Sequence, residues 1–276
     1  MNRPLARVLI HSGLCALILV LLSACGGISL PKTSALPPLE QREAIERLTT
    51  LAQEPLPPSV ETDYLISWSI LGNSGRVDAV LLMDEPDQLR FSAHDPLGRT
   101  LYLAVSDGTN FTMVDNRAAT VRRGWVDGAS WRSVVPDPLI LADIVPLLGG
   151  RVHGLTSSVL SGQIKAAQNL EQTGYWFVWQ DSRKLSHHLL LDKERNLVAR
   201  HLLVDKKDTI LLDVSYLNYD LDEETGYFWP KTTEVSGSIV KGKLLLERQG
   251  LLSFDPLPVA TFFLELPPHF KVEQLR

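Results

Sequence analysis

The chain has 276 residues, 45 % of them hydrophobic, and its 27 basic and 32 acidic side chains give a formal net charge of -5. A mildly acidic balance offers no electrostatic footprint for nucleic acid. The length suffices to bury a core as one large domain or two small ones.

Arg3 and Arg7 precede an almost unbroken apolar run from Val8 to Leu22, and small residues lead from it to Cys25, Gly26 and Gly27. A basic start, a short apolar stretch and small residues at the cut site mark a secretory signal. The run falls short of the roughly 20 residues that span a bilayer. Leu22-Ser23-Ala24-Cys25 resembles the lipobox of bacterial lipoproteins, which implies cleavage before Cys25 and acylation of its thiol and new amine. Residues 1–24 are then a signal peptide and 25–38 a lipidated tether, small, polar and broken by Pro31, Pro37 and Pro38. Losing 1–24 removes two arginines and Cys15, so the formal charge goes from -5 to -7 and no disulfide can form within the mature chain. A core alone must hold the fold.

Ala44, Ile45, Leu48, Leu51 and Ala52 recur at helical spacing among charged residues, which predicts one amphipathic helix ended by Pro55, Pro57 and Pro58. From Thr62 the period changes to two. Tyr64, Ile66, Trp68 and Ile70 share one face of a strand, and Val77, Ala79, Leu81 and Met83 one face of the next, with Gly72-Asn73-Ser74-Gly75 between. Leu89/Phe91/Ala93, Leu101/Leu103/Val105 and Phe111/Met113 continue the alternation, separated by turns at 85–87, 95–98 and 107–108. Asp137-Pro138 reads as the start of a second helix, closed by Pro146 and Gly149-Gly150. Strands are then predicted near 163–169, 174–181, 185–192, 197–206, 209–218, 228–239 and 242–250. Roughly a dozen antiparallel strands are too many for a flat open sheet. The fold class is mainly β with a few helices: one curled antiparallel sheet, a half-open barrel plugged by short helices, over residues 39–276.

Chemistry is sparse. His187-His188 lies in a predicted strand, where neighbours point to opposite faces, and His94 and His201 are isolated in sequence; a surface or cleft histidine without a role is the reading for these. No His/Cys/Asp/Glu cluster has zinc spacing, and no nucleophile elbow or phosphate loop is present. Asp220 and Asp222 to Glu224 read as a solvated loop. No metal, cofactor or catalytic residue is expected. Aromatic and aliphatic strand residues are core first, yet a curled sheet leaves room for a cavity. Its expected lining is Tyr64, Ile66, Trp68, Leu89, Phe91, Leu101, Leu103, Phe111, Met113, Phe177 and Trp179.

Leu89 to Gly124 reads LRFSAHDPLGRTLYLAVSDGTNFTMVDNRAATVRRG, and Pro136 to Gly150 reads PDPLILADIVPLLGG. This order of strands, Pro-Leu-Gly turn and helix resembles the outer-membrane receptor of the LolA/LolB lipoprotein-sorting family. Ala260 to Leu275 is more like the closing strand of the family's periplasmic carrier. The resemblance implies a half-open barrel whose apolar cavity holds acyl chains. It implies too that Leu97, fixed by Pro96 and Gly98 in a tight turn, protrudes and meets the membrane; packing back onto the sheet is the alternative. The body is longer than the receptor's, its helical middle is compressed, and the strands from about 197 to 250 have no counterpart.

The expectation is a monomeric, non-enzymatic lipoprotein of the outer membrane, facing the periplasm and anchored in lipid through Cys25. It would take acylated lipoprotein cargo from a periplasmic carrier and help insert it. A structural envelope lipoprotein, or a carrier of another lipid or glycolipid, is the competing reading on the same fold.

Overall fold

A computed structural model describes residues 29–84, 87–152, 155, 164–170, 173–266 and 268–275. Cys25 and the signal-like run lie outside the described residues. In chain order the elements are β1 (Thr33–Ala35), α1 (Pro38–Gln53), β2 (Ser59–Ile70), β3 (Asn73–Asp84), β4 (Gln88–His94), β5 (Thr100–Asp107), β6 (Asn110–Asp115) and β7 (Thr120–Trp125). Two short helices follow, α2 (Ala129–Arg132) and α3 (Leu141–Leu148). Then come β8 (Lys165–Asn169), β9 (Gly174–Gln180), β10 (Ser186–Asp192), β11 (Val198–Val204), β12 (Ile210–Leu221), β13 (Phe228–Gly237), β14 (Gly242–Ser253) and β15 (Lys271–Gln274).

The strands form one sheet in the order β1-β8-β9-β10-β11-β12-β13-β14-β2-β3-β4-β5-β6-β7-β15. Every neighbouring pair is antiparallel except β15, which lies parallel to β7. The sheet is thus two meanders joined where β14 pairs β2, Gly242 opposite Ile70. Its ends, β1 and β15, do not pair, so the sheet curls without closing. Among the described residues no helix is long and apolar enough to cross a membrane.

Local chemistry explains the elements. Pro38 occupies the first turn of α1, where its missing N–H costs nothing. Ala44, Leu48 and Leu51 form its buried stripe. They pack on Tyr175, Phe177, Leu189, Leu191 and Leu203 of β9–β11, the first core. A second core gathers Val60, Tyr64, Leu81, Met83, Phe111 and Trp229 beneath Trp131 and Leu141. Helix α3 is apolar on more than one side because it separates the two: Leu147 belongs to the first core and Leu141 to the second. Residues 32–276 form a compact unit that contains both.

Four differences from the sequence reading stand out. The stretch read as tether supplies β1, because Thr33 to Ala35 pair with β8 and Leu36 is buried. The second helix begins at Leu141 rather than at Pro138, because the Ile140 N–H finds its acceptor in Asp143 Oδ2, 3.0 Å away. The meander runs one strand further, to β7, and α2 was not anticipated. The chain end adds only a four-residue edge strand, β15.

Candidate functional site

Register builds a cavity on β3–β6. Leu81 stands opposite Phe91, Phe91 opposite Ala104, and Ala104 opposite Met113. One row further, Leu89 faces Ser106 and Ser106 faces Phe111. Large side chains on three strands therefore surround two small ones on β5, and the missing volume is not filled from above. The result is a cavity of about 220 Å³ between this face and Trp131, Leu141, Ile144 and Leu148 of α2 and α3. Trp131 forms its corner, edge-on to Phe111 at 5.5 Å and with its indole N–H donating to the Leu139 carbonyl at 3.1 Å.

Leu89, Phe91, Phe111 and Met113 are thus brought together as lining, as expected from sequence. Tyr64 and Ile66 pack in the same core without lining the cavity, and the Tyr64 hydroxyl accepts a hydrogen bond from Trp229 Nε1 at 2.8 Å. The Trp68 ring lies instead where a side chain at Gly75 would stand. Leu101 and Leu103 alternate to the face of β5 away from Ala104. Phe177 and Trp179 are buried in the first core, under α1. The sequence reading missed Ala104, Ser106 and the α3 residues, because small residues on a strand send no hydrophobic signal.

The cavity's outer wall is held from the far half of the sheet. Arg183, in the β9–β10 turn, donates to Asp143 Oδ2 at 2.7 Å and Oδ1 at 3.2 Å, and to the Pro138 carbonyl at 3.2 Å. Its Nε donates to Asp181 Oδ2 at 2.7 Å. At the other end of α3, the Tyr216 hydroxyl donates to the Leu147 carbonyl at 2.7 Å. Burial pushes the Asp181 carboxyl up, but His187, the Leu185 N–H and Arg183 outweigh it and hold the group well below the usual carboxylate range.

The histidines correct an expectation. His187 and His201 are buried together, Nδ1 to Nε2 at 3.0 Å, with Trp179 stacked on His187 at 5.0 Å. His187 Nε2 lies 3.4 Å from Asp181 Oδ2. They are neither surface nor cleft residues. Their meeting follows from the β10–β11 register, where Leu189 faces His201, and sequence spacing alone does not contain that register. Among the described residues no group of three or more His, Cys, Asp or Glu could hold a metal ion.

The β4–β5 connection presents Leu97. Asp95 Oδ1 accepts from the Leu97 and Arg99 backbone N–H groups at 2.9 and 3.0 Å, while Gly98 takes a φ of 75°. Leu97 is left 78 % exposed and does not fold back onto the sheet.

No protein-family model and no curated protein matches the chain. Solved structures do. A DUF1329 family protein from Desulfovibrio piger is similar with a TM-score of 0.56 and 12 % identity, over 80 % of this chain and 96 % of that one. A domain from Vibrio parahaemolyticus described as an outer membrane lipoprotein-sorting protein is similar with a TM-score of 0.51 and 14 % identity, over 81 % and 96 %. A LolA superfamily protein from Nitrosomonas europaea follows with a TM-score of 0.47 and 12 % identity, over 80 % and 97 %. What the chain shares with the first two is a fold, the large curled and unclosed sheet expected from its periodicity.

Proposed function

We propose that the chain is a non-enzymatic envelope lipoprotein, anchored through acylated Cys25, that takes an acyl chain into the cavity under α3. In this reading it receives acylated lipoproteins from a periplasmic carrier and helps seat them in the outer membrane. The observation that carries it is a continuity: β4 and β5 form the apolar wall, and the turn between them holds Leu97 in water. Pocket and membrane contact then belong to one hairpin. Inserting Leu97 would recover about 1.5–3 kcal/mol of transfer free energy. Gly26, rather than an acidic residue, beside the anchor agrees with an outer-membrane address, and the Vibrio domain's description agrees with the role. At about 220 Å³ the cavity is smaller than the ~300–1,000 Å³ of typical ligand sites, so cargo entry requires α3 to move outward.

A structural lipoprotein is the second reading, favoured by the filled half of the sheet, where α1 packs on buried Tyr175 and Phe177. The test mixes the purified body, residues 26–276, with an acylated lipoprotein on its carrier. Capture of the lipid by wild type and Leu97→Glu alike, with delivery to liposomes lost only in Leu97→Glu, is the expected result. No transfer and no co-purifying lipid would leave the structural reading.

A further inference from the structure

Leu71 and Leu97 are the two most exposed large apolar side chains of the described residues, at 81 % and 78 %. Leu71 follows β2 and Leu97 follows β4, and alternate turns of an antiparallel meander lie at the same end of the sheet. Two strand spacings, roughly 10 Å, separate the two hairpins laterally.

Leu71 is also in the wrong conformation for a leucine. Its φ is 49° and that of Gly72 is 79°, a pair of left-handed residues for which Asn-Gly is the favoured sequence. The other non-glycine residues held left-handed on turns at this end are Ala119, Asp208 and Lys241, all small or polar. A leucine here strains the backbone and, being exposed, gains little from the fold. Its gain must lie outside the chain.

Charge says what lies outside. Lys206, Lys207 and Lys241 are exposed on turns at this end, against Asp205 and Asp208, while Arg117 shares its turn with Asp115, 3.9 Å away. Asp95 is paired with Arg99 on its own turn. The turns at the opposite end carry Asp87, Asp127, Asp222, Glu223 and Glu224, with Lys184, Lys193 and Arg195 as basic exceptions, since the twist of the sheet brings Arg183 of the β9–β10 turn into one pocket with Asp87 and Asp127.

We infer that this end of the sheet is a bilayer-docking surface: Leu71 enters the lipid beside Leu97 while the basic turns meet anionic headgroups. The inference rests on the lipid-carrier reading and extends it from one residue to a surface with an orientation, acidic end away from the membrane.

The test floats the body, residues 26–276, with phosphatidylethanolamine vesicles with and without phosphatidylglycerol. Leu71→Asn, which suits the left-handed turn, is expected to keep or raise the melting temperature while lowering vesicle binding about tenfold or more. Leu71→Trp keeps an apolar tip and is expected to bind at least as well as wild type. Binding should rise with phosphatidylglycerol and fall with salt. Leu71→Asn floating like wild type would overturn the inference. A fluorescent fatty acid titrated into the same proteins separates the two readings. If the fatty acid binds while Leu71→Asn floats normally, the docking surface fails and the carrier stands. If flotation depends on Leu71 while no fatty acid binds, the carrier fails and the surface stands.

Discussion

Arg183 grips Asp143 through two hydrogen bonds, at 2.7 and 3.2 Å, and so ties the first turn of α3 to the β9–β10 turn across the mouth of the curled sheet. The same guanidinium pairs with Asp181, and both carboxylates are buried. Removing the cation takes the guanidinium from two buried carboxylates, the costly way to break such a cluster. Arg183→Gln is therefore expected to destabilise the body by about 3 kcal/mol, read from urea unfolding. Arg183→Lys should recover little of it, because a point charge cannot reproduce the fork. A loss below about 1 kcal/mol would mean the cluster behaves as a solvated pair.

Acid should act through the same place. Hydrogen bonds and charge hold Asp181 below the usual carboxylate range in the folded state. A depressed carboxyl stabilises the fold above its unfolded pKa, near 3.9, and that contribution is lost as pH falls through the folded value. Stability is thus expected to drop on acidification from about pH 5 downward, and Asp181→Asn should flatten that limb while lowering stability at neutral pH. An acid limb of the same slope in the variant would assign the effect to other carboxylates.

The first strands were legible because their two faces differ: one is buried and the other meets solvent. Ala79, Leu81 and Met83 alternate with exposed or half-buried neighbours. Helix α1 was equally plain, with Ala44, Leu48 and Leu51 on one stripe. What sequence did not contain is register. It decides that Ala104 rather than Leu103 faces Phe91, and that His201 reaches His187. The edge strand β1 was lost for a different reason: it has three residues, too short for an alternation to register. The cavity was half legible, since its large residues announce themselves and its small ones do not.

Filling the cavity tests what it is for. Ala104 sits between Phe91 and Met113 on the floor. Ala104→Leu adds three heavy atoms where about 220 Å³ stands unfilled, so the fold should accommodate it within about 1.5 kcal/mol. Binding of a fluorescent fatty acid is expected to fall about tenfold or more, the loss that follows from roughly 1.4 kcal/mol or more. Unchanged binding in a folded variant would place the acyl site elsewhere.

Tyr216 holds the opposite end of α3, its hydroxyl donating to the last-turn carbonyl of Leu147. That carbonyl has no partner within the helix, so Tyr216→Phe leaves a buried acceptor unsatisfied at about 1–3 kcal/mol. Its consequence for function should appear in rate rather than affinity. With Arg183 intact the helix is still tied at Asp143, and fatty-acid entry should quicken only slightly. In Arg183→Gln/Tyr216→Phe both ends are free and the wall formed by Leu141, Ile144 and Leu148 can swing outward as a unit. The association rate, read by stopped flow, is expected to rise by more than the product of the two single effects. The stabilities should be non-additive by about 0.5 kcal/mol or more, as for residues sharing one element. Strictly multiplicative rates would show that entry does not require α3 to move, and that cargo reaches the cavity past another edge.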